Sequence, residues 1–154
     1  MRVLTAPLEE LGEFEEIKRK LQESTAHAAL TGCVESQKLH MVYGLGGGFL
    51  NRLIVTFSDL RVKELMEDYR FYDKNAVAYP ARDLIFYQAD VHGNQLVTER
   101  IKCLRRMLEG KPVTVITTFS SLMAPQIPLS AWKEHLLSVS VKGQADEREL
   151  AQRL

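Results

Sequence analysis

Two apolar runs constrain the fold of this chain more than any other feature of its sequence. Arg52–Phe57 and Pro112–Thr118 are strand-length segments rich in valine, isoleucine and threonine. Such runs are typical of strands that are buried on both faces, as in a parallel sheet. A third short strand is predicted over Asn75–Tyr79. Because helical patterns separate these runs, the sequence predicts an α/β fold with a mainly parallel sheet flanked by helices.

A further stretch has the layout of a phosphate loop without its chemistry. His27–Thr31 is predicted as an additional strand, followed by a Thr-Gly turn and a helix. A P-loop requires Gly-x-x-x-x-Gly-Lys-Ser/Thr. The corresponding segment is a degenerate loop that contains Ala29, Thr31, Gly32, Val34, Glu35 and Ser36. At the defined positions Ala29 and Val34 replace the glycines, Glu35 replaces the lysine, and only Ser36 fits.

The exchange of lysine for Glu35 decides what this loop can bind. At an effective dielectric constant of about 20, two unit charges about 4 Å apart interact by about 4 kcal/mol. The exchange therefore turns an attraction for a triphosphate into a repulsion of similar size. Val34 also adds a branched side chain where the backbone of a working loop approaches the phosphates. We expect no cofactor at this loop.

The helical patterns complete the predicted domain. One helix is predicted over residues 8–23, with an apolar stripe formed by Leu8, Leu11, Phe14, Ile17 and Leu21. Others are predicted from Val34 to the glycine cluster Gly44–Gly48, after the N-cap Ser58, and over residues 94–109, 120–123 and 128–135. The glycine cluster is interpreted as a helix stop, since the dinucleotide fingerprint needs glycines between a strand and a helix.

Residues 1–134 are predicted to form this domain, and residues 135–154 to begin a second one. Residues 136–141 alternate between apolar and polar side chains, which predicts a strand with one solvated face. A helix pattern starts near Asp146 and reaches the last residue without a C-cap. We therefore expect the second domain to be truncated in this chain.

Two surfaces are candidates for contacts with partners. Residues 80–93 mix aromatic and charged side chains without a period, which fits either a contact surface or a loop fixed by its own aromatics. The helix over residues 94–109 ends in basic residues, and its candidate patch for DNA or phosphate consists of Arg100, Lys102, Arg105 and Arg106. Cations at a helix C-terminus also interact favourably with the helix dipole, so a structural role suffices to explain them.

Composition excludes several classes of protein. Twenty basic and twenty acidic residues give a net charge of zero, unlike a general nucleic-acid-binding domain. No apolar run approaches the about 20 residues that span a bilayer, so no membrane contact is expected. The two cysteines are too few for a disulfide framework, which predicts a cytoplasmic protein. The four histidines lack metal-ligand spacing, and no catalytic group is predicted.

Five stretches in order resemble the N-terminal region of bacterial transcription-repair coupling factor (Mfd). They are T-G-C-V-E-S-Q-K-L-H, L-I-V-T-F-S-D-L-R-V-K-E-L, Y-P-A-R-D-L-I-F-Y-Q-A-D, R-I-K-C-L-R-R-M-L-E-G and T-V-I-T-T-F-S-S-L-M. The resemblance implies a module similar to the repair protein UvrB, with a RecA-type lobe like UvrB domain 1a that has lost its ATP site. UvrB-like relatives have T-G-x-G-K-T in the loop. Here Thr31 and Gly32 keep that pattern, and Val34 and Glu35 depart from it.

The resemblance also implies partners. In this family the module recruits UvrA to an RNA polymerase stalled at a lesion, mainly through the second domain, of which residues 136–154 are present. The other implied partners are the C-terminal domains of the parent protein and, through the parent, RNA polymerase and DNA. The ATP- and Mg-dependent DNA translocase of the family lies in a distant C-terminal motor.

Three hypotheses follow from the sequence. The first is a non-catalytic scaffold and interaction module of a transcription-coupled nucleotide excision repair factor. The alternative is a weak ATP-binding lobe of a DNA helicase or of a UvrB-type repair protein. The third is direct contact of the basic helix with DNA.

Overall fold

The computed structural model describes residues 2–23, 26–81 and 90–134. In chain order the elements are α1 (Arg2–Glu9), α2 (Phe14–Glu23), α3 (Glu35–Leu45), β1 (Asn51–Thr56), α4 (Asp59–Tyr69), β2 (Ala76–Tyr79), α5 (Asp90–Leu108), β3 (Val113–Thr118), α6 (Phe119–Met123) and α7 (Leu129–Glu134). The chain divides into two compact units, Met1–Ala124 and Pro125–Leu154. The predicted boundary after residue 134 stays a prediction, and the predicted strand 136–141 and helix 146–154 lie outside the described residues.

The three described strands form one parallel sheet in the order β1-β3-β2. Val115 of β3 lies opposite Leu53 of β1 and Val77 of β2. All six residues of the central strand β3 are buried, as its apolar sequence predicts. The predicted α/β fold with a parallel sheet flanked by helices is confirmed.

Helices pack on both faces of this sheet, but Leu53 and Val55 of β1 are 55% and 41% exposed, so the prediction that β1 is buried on both faces is wrong. On one face α3 and α4 pack against β2 and β3, in a core that includes Tyr43, Leu65, Tyr69 and Ile116. On the other face α5 packs against Val113, Val115 and Tyr79 through Cys103. A third cluster joins α1 and α2 to α3 through Leu8, Phe14, Met41 and Leu45. Cys103 is 1% exposed and acts as a small packing residue.

The predicted strand His27–Thr31 is wrong. Residues 26–31 have no regular secondary structure, and none of the described strands pairs with them. The segment is short and contains two alanines, which have low β propensity. Ala28 and Ala29 are exposed, and Leu30 packs against the cluster of α1, α2 and α3 instead of joining the sheet.

The single helix predicted over residues 8–23 is also wrong. The chain forms α1 and α2, with a turn between them in which the Leu11 N–H donates to the Leu8 carbonyl and the Phe14 N–H donates to the Leu11 carbonyl, both at 3.0 Å. Gly12 lies in this turn, and glycine costs about 1 kcal/mol relative to alanine inside a helix. The break lets both Leu8 and Phe14 pack against α3 while Leu11 is exposed.

Helix α5 begins at Asp90, earlier than the predicted start at residue 94. Of its apolar residues, Val97, Ile101 and Leu108 are exposed, whereas Leu104 packs against the core. Arg100 and Cys103 are buried, whereas Ile101 is 46% exposed. The difference arises because Tyr79 of β2 accommodates the Arg100 guanidinium, a contact that periodicity does not reveal. Of the candidate contact surface over residues 80–93, residues 82–89 lie outside the described residues.

Candidate functional site

The degenerate loop lies at the surface, ahead of and within the first turn of α3. Val34 precedes the helix with an extended backbone (φ −72°, ψ 160°), and its side chain makes no capping hydrogen bond. It is 66% exposed. Gly32 has φ 75°, a conformation that favours glycine. Ala29, Thr31 and Ser36 are exposed as well, so the predicted loop residues lie on one open segment rather than in an enclosed site.

Glu35 is the first residue of α3, and its carboxylate contacts two cations. The Lys38 ammonium donates to Glu35 Oε1 at 2.6 Å, and the Arg61 guanidinium donates to Glu35 Oε2. Arg61 also donates to Glu64 at 2.8 Å. The hydrogen bond from Lys38, followed by its charge, lowers the pKa of Glu35 below its ordinary value. The cations at this surface therefore already bind carboxylates of the chain itself.

The Glu35–Arg61 pair joins two helix N-termini. Helix α4 directly follows β1, so Arg61 in its first turn lies at the carboxyl edge of the sheet. The Ser58 hydroxyl caps this helix by accepting from the Arg61 N–H at 3.2 Å, as predicted for Ser58. Ligands of open α/β sheets bind at this edge, and helix N-termini favour negative charge. Here the negative charge at the start of α3 is the Glu35 carboxylate.

The glycine cluster allows close packing of helices at Gly44 and a change of chain direction after α3. A Cβ atom on Gly44 would collide with Leu8 Cδ1 and lie 2.9 Å from Phe14 Cζ, so glycine lets α1 and α2 approach α3. Gly46 ends the helix, and Gly48 has φ 104° in the turn that leads to β1. These positions agree with the interpretation of the cluster as a helix stop.

A buried carboxylate that sequence reasoning missed lies at the opposite, amino edge of the sheet. Asp73 is 4% exposed. Its Oδ2 accepts from the Arg52 guanidinium and from the Thr114 hydroxyl, each at 2.8 Å, and its Oδ1 accepts from the Asn75 N–H at 2.9 Å. Both oxygens thus bind groups that hold β1, β3 and the turn before β2 together. Asp before Lys-Asn is a turn signal, but the partners in two strands carry no local signal.

This carboxylate lines a cleft of about 770 Å³, together with Tyr43, Phe49, Leu50 and Pro112. The cleft lies where β1 and β3 begin, whereas ligands of such sheets bind at the carboxyl ends of the strands. The charge of Asp73 is balanced by its contacts with Arg52, Thr114 and the Asn75 N–H. We therefore interpret this part of the molecule as structural.

The predicted basic patch is divided by the structure. Arg100 is 4% exposed, donates to the Pro80 carbonyl at 2.6 Å, and lies 4.0 Å from the centre of the Tyr79 ring. Lys102, Arg105 and Arg106 are exposed and line a cleft of about 590 Å³. The structure therefore brings three of the four predicted residues together and places Arg100 in a packing role.

Two further cations line the same cleft. Arg70 and Lys74 come from the turn after α4 and reach the cleft from another element. No linear motif joins these positions to α5, so sequence reasoning did not find them. Burial raises the pKa of the Cys103 thiol, which also lines the cleft, to about 11 and keeps it neutral.

The described part of the chain offers no candidate metal centre. Within residues 2–23, 26–81 and 90–134, no three His, Cys, Asp or Glu side chains are grouped so that they could hold an ion. Cys33 and Cys103 are both free thiols. In the same ranges, no helix combines the length and apolar character needed to cross a membrane.

Several known bacterial proteins are similar in sequence to this chain. Transcription-repair-coupling factors of Staphylococcus aureus strains USA300 and MSSA476 are each 22% identical to it over 157 aligned positions. The chain is distantly similar to transcription-repair-coupling factor. The alignment covers 100% of this chain but only 13% of each relative, so the chain spans a small part of their length. No protein-family model and no solved structure matches the chain.

Proposed function

We propose that this chain is a non-catalytic scaffold and interaction module of a transcription-coupled nucleotide excision repair factor. In that role it would link a stalled RNA polymerase to the recruitment of UvrA. The proposal is supported by the similarity over the whole chain to transcription-repair-coupling factor and by the parallel α/β fold. In finer detail, we propose that the sheet and its helices are a RecA-type lobe, like domain 1a of UvrB, that no longer binds ATP.

The observation that carries this proposal is the pair of contacts made by Glu35. In a nucleotide-binding lobe the positive charges near the first helix turn bind phosphate. In this chain Lys38 and Arg61 bind the Glu35 carboxylate instead, at the carboxyl edge of the sheet. The residues before the helix form no strand that would position a loop around a phosphate. The arrangement favours a lobe that keeps the fold of a nucleotide-binding domain but does not bind a nucleotide.

Nucleotide binding tests the non-catalytic part of the proposal. We expect that millimolar Mg-ATP leaves the thermal unfolding midpoint of the full chain unchanged, because Lys38 and Arg61 already bind the Glu35 carboxylate, whose charge repels a phosphate. A stabilisation by Mg-ATP that is lost in Ser36→Ala would contradict the proposal and support a weak ATP-binding lobe.

The repair role is tested in the cells that encode the chain. Deletion of these 154 residues is expected to remove the faster repair of the transcribed strand after ultraviolet irradiation. Repair of the non-transcribed strand serves as the internal control and is expected to stay unchanged. If the transcribed strand is still repaired faster than the other strand after the deletion, the chain is not part of a coupling factor.

A further inference from the structure

Strand β2 lies at the edge of the described sheet, and its outer side borders a cleft. Among the described strands it pairs only with β3. The cleft of about 590 Å³ runs along Ala76, Val77 and Ala78, between α5 and the turn after α4. An edge strand presents N–H and C=O groups that can pair with another extended chain. Because the Ala76 N–H already donates to the Asp73 carbonyl at 3.1 Å, the cleft gives access to the remaining outward-facing N–H and C=O groups of β2.

Basic side chains line this cleft on both sides. Lys102, Arg105 and Arg106 lie on α5, which covers one face of the sheet, whereas Arg70 and Lys74 follow α4, which covers the other face. Glu99 and Glu109 also line the cleft, so its lining contains five basic and two acidic side chains. Arg105 pairs with Glu109 at 3.5 Å on the exposed surface. The cleft as a whole is positively charged, although the chain has a net charge of zero.

We propose that this cleft binds an acidic, extended segment of a partner protein, which adds to the sheet as a strand beside β2. In such complexes the main-chain hydrogen bonds provide affinity, and the alternating side chains provide specificity. Successive side chains of a strand point to opposite faces of the sheet. Acidic residues at neighbouring positions of the segment would thus reach Lys102 and Arg106 on one side and Arg70 and Lys74 on the other.

The lining of the cleft favours a peptide over a nucleic acid. Proteins that bind single-stranded nucleic acids combine a basic groove with aromatic side chains on which the bases stack. No aromatic residue lines this cleft in the described residues. A peptide strand needs no stacking surface, since the edge of β2 supplies its partners. The proposal does not depend on the proposed role in DNA repair.

Fluorescence anisotropy with a labelled ten-residue peptide of glutamate, aspartate and threonine tests the proposal on the full chain. We expect saturable binding that weakens at least tenfold in the double variant Lys102→Glu with Arg106→Glu. Lys74→Glu, on the opposite side of the cleft, is expected to weaken binding as well. Lys63→Glu is the matched control, because Lys63 is exposed on α4 and does not line the cleft. All variants are first compared with the parent chain by thermal unfolding.

Amide hydrogen exchange separates strand addition from simple charge attraction. We expect the bound peptide to slow exchange at the β2 amides, and a peptide with proline at alternate positions to bind at least tenfold more weakly because it lacks N–H donors. Equal affinity for the proline peptide, unchanged exchange in β2, or no binding at all would overturn the proposal. Tighter binding of a thymidine oligonucleotide that depends on Lys102 and Arg106 would overturn it in favour of a nucleic-acid site.

Discussion

Asp73 shows how one side chain can hold three elements together. It accepts hydrogen bonds from Arg52 of β1, Thr114 of β3 and the Asn75 N–H before β2. Asp73→Ala is expected to destabilise the fold by about 3–5 kcal/mol, because it leaves the largely buried Arg52 charge without its partner. Urea unfolding measures this loss. The double variant Asp73→Ala with Arg52→Met should recover part of it, and a loss below about 1 kcal/mol for the single variant would contradict the role assigned to Asp73.

Gly44 and Gly12 offer a matched pair of substitutions. A Cβ on Gly44 would collide with Leu8 and Phe14, whereas nothing lies within 4 Å of a Cβ on Gly12. Gly44→Ala should destabilise the chain by about 1–3 kcal/mol through overpacking, even though alanine is the better helix former. Gly12→Ala should be neutral or stabilise by up to about 1 kcal/mol. Chemical denaturation of both variants checks this, and equal effects would show that Gly44 has no packing role.

Residues whose roles depend on near neighbours in sequence were predictable, and those that depend on distant partners were not. Ser58 is recognisable as an N-cap because it precedes an apolar helix pattern, and its hydroxyl accepts from the Arg61 N–H. Arg100 looked like a surface cation because its helix is basic. Its burial depends on the Tyr79 ring and the Pro80 carbonyl, which come from another strand and the residue after it.

At the scale of elements, the central strand and the edge strand β1 should respond very differently to truncation. Ile116 of β3 is fully buried between β1 and β2, whereas Leu53 of β1 is 55% exposed. Ile116→Ala is expected to cost about 2–5 kcal/mol from lost burial and a residual cavity. Leu53→Ala is expected to change stability by less than about 1 kcal/mol. Urea unfolding measures the loss of stability in both variants, provided that their m-values are similar. Similar losses at the two positions would contradict the strand order.

Amino-acid composition explains which strands the sequence predicts correctly. The strands β1, β2 and β3 have apolar or β-branched sequences that suit few other environments, and they form where predicted. The segment His27–Thr31 has no such composition. It is predicted as a strand because it precedes a Thr-Gly turn and a helix, the order of elements around a phosphate loop. The break between α1 and α2 depends on packing against Gly44, a contact between segments that are far apart in sequence.

At the scale of the whole molecule, the cleft beside β2 is formed by residues that are far apart in the sequence. The α5 residues Lys102, Arg105 and Arg106 were recognisable as a basic cluster. Arg70 and Lys74 join them only because α4 and α5 cover opposite faces of the sheet and meet at its β2 edge. The balanced net charge of the chain conceals this local excess.

Restoring the missing residues of the loop tests whether the whole fold, rather than two side chains, prevents nucleotide binding. The double variant Val34→Gly with Glu35→Lys recreates the glycine and lysine of a P-loop ahead of Ser36. We expect it to fold, because Val34 is exposed without a capping role and the contacts of Glu35 lie at the surface.

We also expect the double variant to remain unable to bind Mg-ATP, since residues 26–31 form no strand that would fix a loop around the phosphates. A nucleotide present at about 100 times its dissociation constant would stabilise the chain by about 2.7 kcal/mol, a shift that thermal unfolding detects. Stabilisation of this size in the double variant would mean that Glu35 and Val34 alone block the site. Unfolding of the double variant without nucleotide would instead assign Glu35 a structural role, through its contacts with Lys38 and Arg61.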